Sequence, residues 1–415
     1  MTRFLPPTPL ARRLAIQSML YALGDGTFFT SSAVFFTQIV GISAAQVGLG
    51  LSAAMAASFV LSVPLGKLAD RVGPKRLWTV AGFAGAALYA AWPLVGGFAA
   101  FLFVVIALEA VGTAGRAGRG AYAIDALPRE ERVRSMAFMR AALNVGFTLG
   151  ALLGGVALAL NSDDIVRSLP WVTAVILTVN AISISRMPKA THERSAEPAG
   201  QRPGLRGLRN RGFVALFAFD GVLNTNQVLL NVVIPLWLVE KTDAPRVLLA
   251  WLFATNTVMA VLLQVPVARG VDTVDACLRA SRRSGVFFVI SCGIVLVTHD
   301  TIGWITIVLI WLGHVTLTGA ELFQSAGHWG FLSELSDPDR LGEYQGVAQL
   351  GGNLGGVWAP AVYTYLALEW GGGGWIVIAA AAAVATVAMH PSARAAERFL
   401  STRSAATAPS VAPKD

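Results

Sequence analysis

The sequence predicts an all-α membrane protein whose twelve transmembrane helices form two pseudo-symmetric bundles of six. Hydrophobic residues make up 55% of the chain and charged residues only 13%. Apolar stretches long enough to cross a bilayer recur along most of the chain, and the second half repeats motifs of the first. Because the lipid core offers no hydrogen-bond partner to the backbone, such stretches are expected to be helical.

The composition excludes several classes of protein. A soluble globular chain carries about 25% charged residues, so a soluble enzyme of this length is excluded. The only two cysteines are Cys277 and Cys292, both in or beside apolar segments, which excludes a disulfide scaffold. The pI is near 9.9, but the basic residues lie between apolar runs and form no separate domain, so no nucleic-acid partner is expected.

Twelve apolar stretches follow one another, and about 20 residues are enough to span the hydrocarbon core. The first stretch is too long for a cleavable signal peptide, and Asp25 and other charges interrupt it. In chain order the predicted spans are 13–39, 45–66, 77–97, 98–124, 135–160, 168–187, 212–239, 246–268, 283–299, 302–326, 342–367 and 373–390.

Polar segments divide the chain into four parts. Residues 1–187 form an N-terminal six-helix bundle, and residues 188–211 form a linker with basic residues near its end. Residues 212–391 form the C-terminal six-helix bundle. Residues 392–415 have the Ser, Ala and Pro content of a disordered cytoplasmic tail.

The distribution of Lys and Arg predicts the orientation. With both termini in the cytoplasm, 26 of these residues fall in cytoplasmic segments, whereas three fall outside and three within spans. Since Lys and Arg accumulate on the cytoplasmic side of membrane proteins, the twelve-span topology is self-consistent. The predicted location is a bacterial cytoplasmic membrane, and the linker is predicted to be cytoplasmic.

Short motifs recur between the halves. The segment from Val63 to Asp70 matches the segment from Val265 to Asp272, and Asp25-Gly26 matches Asp220-Gly221. Asn144 and Gly146 match Asn353 and Gly355, and the same offset aligns Arg119 with His328. Two six-helix halves related by an axis along the membrane normal, with a substrate site between them, are a known transporter plan.

The loop between spans 2 and 3 has the sequence GKLADRVGPKR from Gly66 to Arg76. It is similar to the signature loop of the major facilitator superfamily, G-x-L-A-D-R-x-G-R-K-x, with Pro74 where Arg is usual. Together with the span count, the repeat and the central linker, this resemblance covers the whole chain and implies a transporter that works by alternating access.

Within this loop, the glycines allow close approach and unusual backbone angles, and Asp70 suits the partly positive N-terminus of a neighbouring helix or a nearby Arg. The resemblance implies a latch that holds the two halves together in the outward-open state. The alternative is that the basic residues only set the topology. The predicted latch residues are Gly66, Asp70, Arg71, Gly73 and Arg76.

The fifth span carries small residues four apart, a spacing that allows helices to pack closely. It resembles the G-x-x-x-G-P-x-x-G-G motif of bacterial drug–proton antiporters, although Ala151 replaces the Pro. The motif therefore favours export, and a simple packing seam is an equally good interpretation. The motif residues are Arg140, Gly146, Gly150, Gly154 and Gly155.

Ionisable residues inside the spans are the strongest functional candidates, because each costs about 2.5–3.5 kcal/mol at a helix centre. Spans 1, 4, 7 and 10 carry Asp25, Glu109, Asp220 and Glu321 respectively. The resemblance implies that these four helices line the central cavity, so the four acids are candidates for carrying the proton. Asp25 and Glu109 are the first choices, and Asp220 follows because it repeats Asp25. The alternative is that they pair with Arg116, Arg119 or His314.

Polar and aromatic residues in the spans are candidates for contact with the substrate, and packing is the alternative for each. A histidine titrates near neutral pH, but two on one span more often bond neighbouring helices. The predicted cavity residues are Phe28, Phe29, Asn144, Gln227, Asn231, Trp251, Asn256, His314, Gln324 and Asn353.

Taken together, these features predict proton-coupled efflux of a drug-like or natural-product molecule. The alternative within transport is uptake of a sugar or other small metabolite. The motifs H-E-x-x-H, G-x-S-x-G, C-x-x-C and G-x-x-x-x-G-K-[ST] do not occur, which argues against an enzyme or an ATP-driven pump. The expected partners are the substrate, protons and the bilayer, with no cofactor or metal, and a monomer suffices.

Overall fold

A computed structural model describes residues 6–160, 162–189, 206–245 and 248–407. All regular structure in these ranges is helical, and the long helices are numbered α1 to α12 in chain order. They are α1 (Pro9–Val34), α2 (Ala44–Val72), α3 (Pro74–Ala91), α4 (Gly97–Ala126), α5 (Arg132–Ala159), α6 (Asp163–Ser185), α7 (Arg211–Lys241), α8 (Leu248–Val267), α9 (Val274–Val297), α10 (Trp304–Glu334), α11 (Leu341–Glu369) and α12 (Gly372–Thr407).

Most of these helices are apolar enough to cross a membrane. In the described ranges, nine meet criteria of length and apolar composition, and α8 contains a shorter apolar helix at Trp251–Val267. The remaining two, α1 and α11, have 26 and 29 residues. At a rise of about 1.5 Å per residue each exceeds the ~30 Å hydrocarbon core. The prediction of a twelve-helix membrane protein is confirmed.

The two halves pack alike. In the first half α1 packs on α5 and α6, α3 packs on α4 and α6, and α2 packs on α4. Each of these pairs has its counterpart six helices later. In the second half α7 packs on α11 and α12, α9 packs on α10 and α12, and α8 packs on α10. The repeat seen in the sequence is therefore a repeat of helix packing.

A matching irregularity occurs in α1 and α7. A π-helical turn at Phe35–Ile39 follows α1, and another lies inside α7 at Leu229–Val233. In α7 the helix is also interrupted at Asn224 and Thr225. Since π-turns are rare and occur mostly at functional sites, their recurrence on two equivalent helices indicates a shared local geometry in both halves.

The halves meet through α2 with α11, α5 with α8, α4 with α11 and α5 with α10. We call one end of the bundle the basic face. It is the end where the short connections between α2 and α3, α4 and α5, α8 and α9, and α10 and α11 lie. The turn between α2 and α3 is a single residue, Gly73, with φ of 93°. That conformation suits glycine because a Cβ would be strained there.

Several helices extend further than hydropathy predicts. The structure starts α9 at Val274 rather than 283, ends α10 at Glu334 rather than 326, and ends α2 at Val72 rather than 66. All three extensions lie at the basic face. Hydropathy detects the part of a helix that suits lipid, whereas the backbone hydrogen bonds continue through polar turns beyond it.

The tail prediction is wrong over much of its length. Helix α12 continues to Thr407, and Arg394 pairs with Asp275 of α9 and with Glu397 one turn further on. Composition suggested disorder because the segment is polar. A helix that is already formed nevertheless extends easily through residues such as Ala, since only its nucleation is unfavourable. Residues 408–415 lie outside the described ranges. Of the predicted linker, 190–205 lie outside them as well, and Arg206–Arg209 form one helical turn.

Candidate functional site

A cavity of about 210 Å³ lies between the two halves, towards the basic face. Helices α4 and α5 of the first half face α10 and α11 of the second across it. Three arginines form its cationic wall: Arg116, Arg119 and Arg140. The remaining lining of the cavity is mostly apolar and includes Met136, Met139, Leu143, Trp329 and Leu332. His328 and Gln345 also line the cavity.

Arg116 belongs to a polar network that joins both halves. Its guanidinium pairs with Glu109 at 2.5 Å, seven residues earlier on α4, and donates to Thr113 at 2.9 Å. Ser58 of α2 lies 2.8 Å from Thr113 and accepts a hydrogen bond from Asn353 of α11 at 3.2 Å. Because Asn353 comes from the second half, this network links the halves beside the cavity.

A second network crosses the halves through Glu321. Arg140 of α5 pairs with Glu321 of α10 at 3.4 Å. The other carboxylate oxygen of Glu321 accepts from Asn256 of α8 at 3.1 Å, and Asn256 also donates to Thr318. The Glu321 side chain is only 5% exposed, so these partners take the place of the water that would otherwise solvate it.

Asp220 lies within the second half. One oxygen accepts from Gln324 at 2.9 Å and the other lies 2.5 Å from Nδ1 of His328. His328 lines the cavity whereas Asp220 does not. His328 therefore stands between the Asp220 carboxylate and the cavity.

Asp25, the repeat counterpart of Asp220, has a different environment. Its carboxylate accepts a hydrogen bond of 3.3 Å from the hydroxyl of Tyr89 on α3. It points into the first half and does not line the cavity. The four acids thus occupy the middle of the four predicted helices, but each has a different partner.

The basic face is closed by contacts that include Asp70. Its two carboxylate oxygens accept hydrogen bonds from the backbone N–H groups of Gly342 and Glu343, at 2.6 and 2.8 Å. These residues form the first turn of α11, whose N–H groups have no partner within the helix. Glu343 in turn pairs with Arg340 at 3.2 Å and accepts from the N–H of Gly207 at 2.5 Å.

Glycines bring α2 and α11 close together at this point. A Cβ on Gly66 would clash with the carbonyl of Gly342, and a Cβ on Gly342 would clash with that of Gly66. On the other side of the face, Arg129 pairs with Glu334. Arg71 and Arg76 are exposed and make no hydrogen bond to α11 among the described residues. Of the predicted latch residues, Gly66 and Asp70 bridge the halves and Gly73 shapes the turn.

The glycines of α5 form a seam against α1. A Cβ at Gly146, Gly150 or Gly154 would clash with the backbone carbonyl of Met19, Leu23 or Thr27 respectively. Gly155 has open space around it, and Arg140 faces Glu321. These two predicted motif residues therefore do not belong to the seam. Rotation about the helix explains both, because only residues at intervals of three or four share a face.

The predicted substrate residues lie around the cavity rather than in it. The prediction for Phe28 is wrong: it is 4% exposed, lies in an aromatic cluster of the first half with Phe35, Tyr89 and Trp92, and does not line the cavity. Phe29 is 65% exposed and packs on Phe147. Asn144 lies one turn after Arg140 on α5, and Arg140 reaches Glu321 of the second half.

The other predicted substrate residues have identified positions. Asn256, Gln324 and Asn353 hydrogen-bond within the acid networks. Asn231 donates to the carbonyl of Gln227, His314 is buried near Leu252, and Trp251 is exposed. No sequence signal pointed to three polar residues of the site, Ser58, Thr113 and Gln345. Arg119 was named only as a possible partner for the acids and not as a residue that lines the cavity. An arginine within an apolar span was the available signal.

The fold and site define a membrane protein of two equivalent helical halves around a polar cavity. The model of the major facilitator superfamily matches residues 14–360. The chain belongs to the major facilitator superfamily, and it is therefore a multi-pass membrane transporter of a small-molecule substrate rather than an enzyme. No curated protein matches the sequence.

Solved structures share the fold at low sequence identity. A bacterial homologue of the iron transporter ferroportin in the outward-facing state has a TM-score of 0.73 at 14% identity, covering 93% of this chain and 100% of that one. The proton:xylose symporter XylE has a TM-score of 0.72 at 12% identity, covering 92% of this chain and 95% of that one. The human organic anion transporter MFSD10 (TETRAN) has a TM-score of 0.64 at 16% identity, covering 92% of this chain and 100% of that one.

Proposed function

We propose that this protein is a proton-coupled exporter of a drug-like or natural-product molecule. The two bundles rock about the cavity so that it opens to one side of the membrane at a time. The observation that carries the proposal is the Arg140–Glu321 pair, because it joins a titratable acid of one half to a cation of the other. A proton at this position changes how strongly the halves are held together.

Protonation of Glu321 removes its charge and so weakens its attraction to Arg140. Asn256 keeps a hydrogen bond to the neutral carboxyl group, which remains satisfied. The Arg140 charge would then be buried without its partner, which is costly, so Arg140 turns towards another group. The ion pair between α5 and α10 is lost, and the halves separate there. Glu109, Asp220 and Asp25 remain candidates for the same role. Among the four, Glu321 has the ion pair that crosses the halves.

The basic face is assigned to the cytoplasm by the excess of Lys and Arg in its connections. The structure is then a state closed to the cytoplasm. In this state an incoming proton reaches the acids from the outside while the bound molecule leaves. The protein acts as a monomer in the cytoplasmic membrane of a bacterium, since each half of the site comes from the same chain.

The test is accumulation of a broad panel of fluorescent drug-like compounds in an efflux-deficient bacterium. The wild type is expected to lower accumulation of at least one compound, and collapse of the proton gradient should abolish the effect. Glu321→Gln is expected to reduce export by about tenfold or more, because a neutral amide mimics the protonated acid permanently. Glu240→Gln is the matched control, since Glu240 is an exposed acid at the far end of α7.

Export by Glu321→Gln at the wild-type rate and with the same response to the proton gradient would show that Glu321 does not couple protons. Equal export with and without a proton gradient in the wild type would reject proton coupling altogether. Protein levels in the membrane are compared in every strain, so that lost activity is not confused with lost protein.

Uptake by the same fold is the second candidate. Ala151 stands where drug–proton antiporters carry Pro, and the α5 glycines act as a packing seam within one half, which is compatible with either direction. The structural neighbours named above transport different cargoes, so likeness of fold does not choose among them. Increased accumulation of a compound in cells with the wild-type protein would favour uptake over export.

A further inference from the structure

Among the residues that the structure describes, Arg119 is the member of the cationic wall that has no acidic partner. Arg116 pairs with Glu109, and Arg140 pairs with Glu321. Among the described residues Arg119 makes neither an ion pair nor a hydrogen bond. The other charged residues that line the cavity with it are Arg116 and Arg140, and both are cations.

An unpaired guanidinium at this depth is costly. Charged residues within membrane spans usually pair with another group, because an uncompensated charge is unfavourable there. Arg119 nevertheless lines the cavity, and no carboxylate is found among the cavity-lining residues that the structure describes. Nε of Arg140 is also buried without a hydrogen-bond partner. The cavity therefore offers uncompensated positive charge and a spare donor.

The rest of the cavity suits an apolar body. Met139 and Leu143 of α5 and Trp329 and Leu332 of α10 lie beside the arginines. A guanidinium presents several N–H donors in a plane that matches two oxygens of one carboxylate or phosphate. Such an arrangement recognises a molecule with an anionic group at one end and an aromatic or aliphatic group at the other.

We propose that the cavity binds an organic anion and that Arg119 is the counter-ion of its carboxylate, phosphonate or phosphate group. This names the chemical class of the cargo and so rests on the proposed function for its biological meaning. Binding itself is independent of transport direction and of proton coupling. The same charge would also attract the headgroup of an anionic lipid, and the experiment below separates these two sources.

The experiment measures binding calorimetrically to the full chain in nanodiscs of phosphatidylcholine. The probes are benzoate and phenylphosphonate, with benzamide as the neutral counterpart of benzoate. Benzoate or phenylphosphonate is expected to bind, and benzamide to bind much more weakly. Arg119→Gln should weaken binding of the anion by about 10- to 100-fold, the usual contribution of a charged hydrogen bond. Arg119→Lys should retain part of the affinity.

Arg283→Gln is the matched control. Arg283 lies on α9, stacks over Phe323 and does not line the cavity. The variant should bind the anion like the wild type. The thermal stability of Arg119→Gln should be unchanged or higher, because the change removes an uncompensated buried charge. This measurement separates a lost binding group from a misfolded protein.

Equal binding of benzoate and benzamide, wild-type affinity in Arg119→Gln, or no binding of either anion at millimolar concentration would overturn the proposal. Addition of phosphatidylglycerol to the nanodiscs should leave benzoate binding unchanged. If it displaces benzoate, the site belongs to a lipid headgroup and a soluble cargo is rejected. Anion binding in a protein that shows no proton-driven export would contradict the proposed function while leaving the anion site in place.

Discussion

The Asp70 carboxylate shows how much one residue contributes to the closed basic face. It accepts hydrogen bonds from two backbone N–H groups at the start of α11, across the boundary between the halves. Those N–H groups have no partner inside their own helix, and the negative charge also suits the helix dipole. These two hydrogen bonds form only while the halves are together at the basic face, so they stabilise the closed state alone.

Replacement of Asp70 by Ala should therefore favour separation of the halves at the basic face. Loss of such a cap costs about 0.5–2 kcal/mol. A cysteine at Ser62, which is buried against Gly346, reports on the separation by its reaction with a maleimide. The rate should rise by about 2- to 30-fold in Asp70→Ala. The native Cys277 and Cys292 are buried, so the background should be low.

Asp272→Ala is the matched control, since Asp272 is the repeat counterpart of Asp70, is exposed, and makes no hydrogen bond to a helix N-terminus among the described residues. An equal increase in labelling for both variants would mean that net charge at the basic face, and not the α11 cap, holds the halves together.

At the scale of an element, α5 has two functional stripes. One stripe carries Gly146, Gly150 and Gly154 and packs on the backbone of α1. The other carries Arg140, which reaches across to Glu321. The small residues allow α5 to pack closely on α1 in the first half, and from this position Arg140 reaches Glu321 of the second half.

Gly150→Leu should destabilise the protein, because any side chain at this position meets the carbonyl of Leu23 and the N–H of Thr27. Overpacking of this kind costs about 1–3 kcal/mol. Thermal unfolding in detergent should show a lower Tm than the wild type. Gly155→Leu is the matched control one turn along, where a side chain has open space, and its Tm should be close to that of the wild type. A similar loss of stability in both variants would disprove the seam.

At the scale of the whole molecule, the described contacts between the halves cluster at and beside the basic face. They include Asp70 with α11, Gly66 with Gly342, and Arg129 with Glu334. Small residues and charge pairs are suited to an interface that must separate again, because they bury little apolar surface that would resist opening. This composition favours the alternating access proposed above, in which this interface acts as a gate.

A covalent link across this gate should stop transport. Cysteines at Arg129 and Glu334, joined by a short and reducible bifunctional thiol reagent, are expected to reduce export in the accumulation assay to background. Reduction of the link should restore it. Each single cysteine variant treated in the same way is the control. Undiminished export by the linked protein would show that the basic face does not open during the transport cycle.

Much of the fold was predictable because a membrane imposes simple rules on a chain. The number of spans and the pairing of the halves follow from apolar length, Lys and Arg distribution, and the internal repeat. The position of Asp70 at a helix N-terminus follows from the chemistry of a carboxylate in a short loop. The extent of α12 did not follow, because composition does not report whether a formed helix continues into a polar segment.

The site was predictable only in part. The acids on four helices were identified from their cost inside a membrane. Of their charged partners only Arg116 was named in advance, whereas Arg140 and His328 were not. Each residue turns the helix by about 100°, so an error of one residue in orientation moves a side chain to another face. Phe28 illustrates this, since it was expected in the cavity but lies in the aromatic cluster of the first half, next to the exposed Phe29.

The sequence by itself determined the class of protein, the twelve helices, the two-fold repeat and the residues that carry charge into the membrane. Only the tertiary structure decided which of those charges are neutralised. It pairs Arg140 with Glu321 and Arg116 with Glu109, and in the part of the chain that the structure describes it leaves Arg119 facing the cavity without an acid. The physical reason is that a charge pair depends on distances between helices far apart in the chain, and helix packing sets those distances.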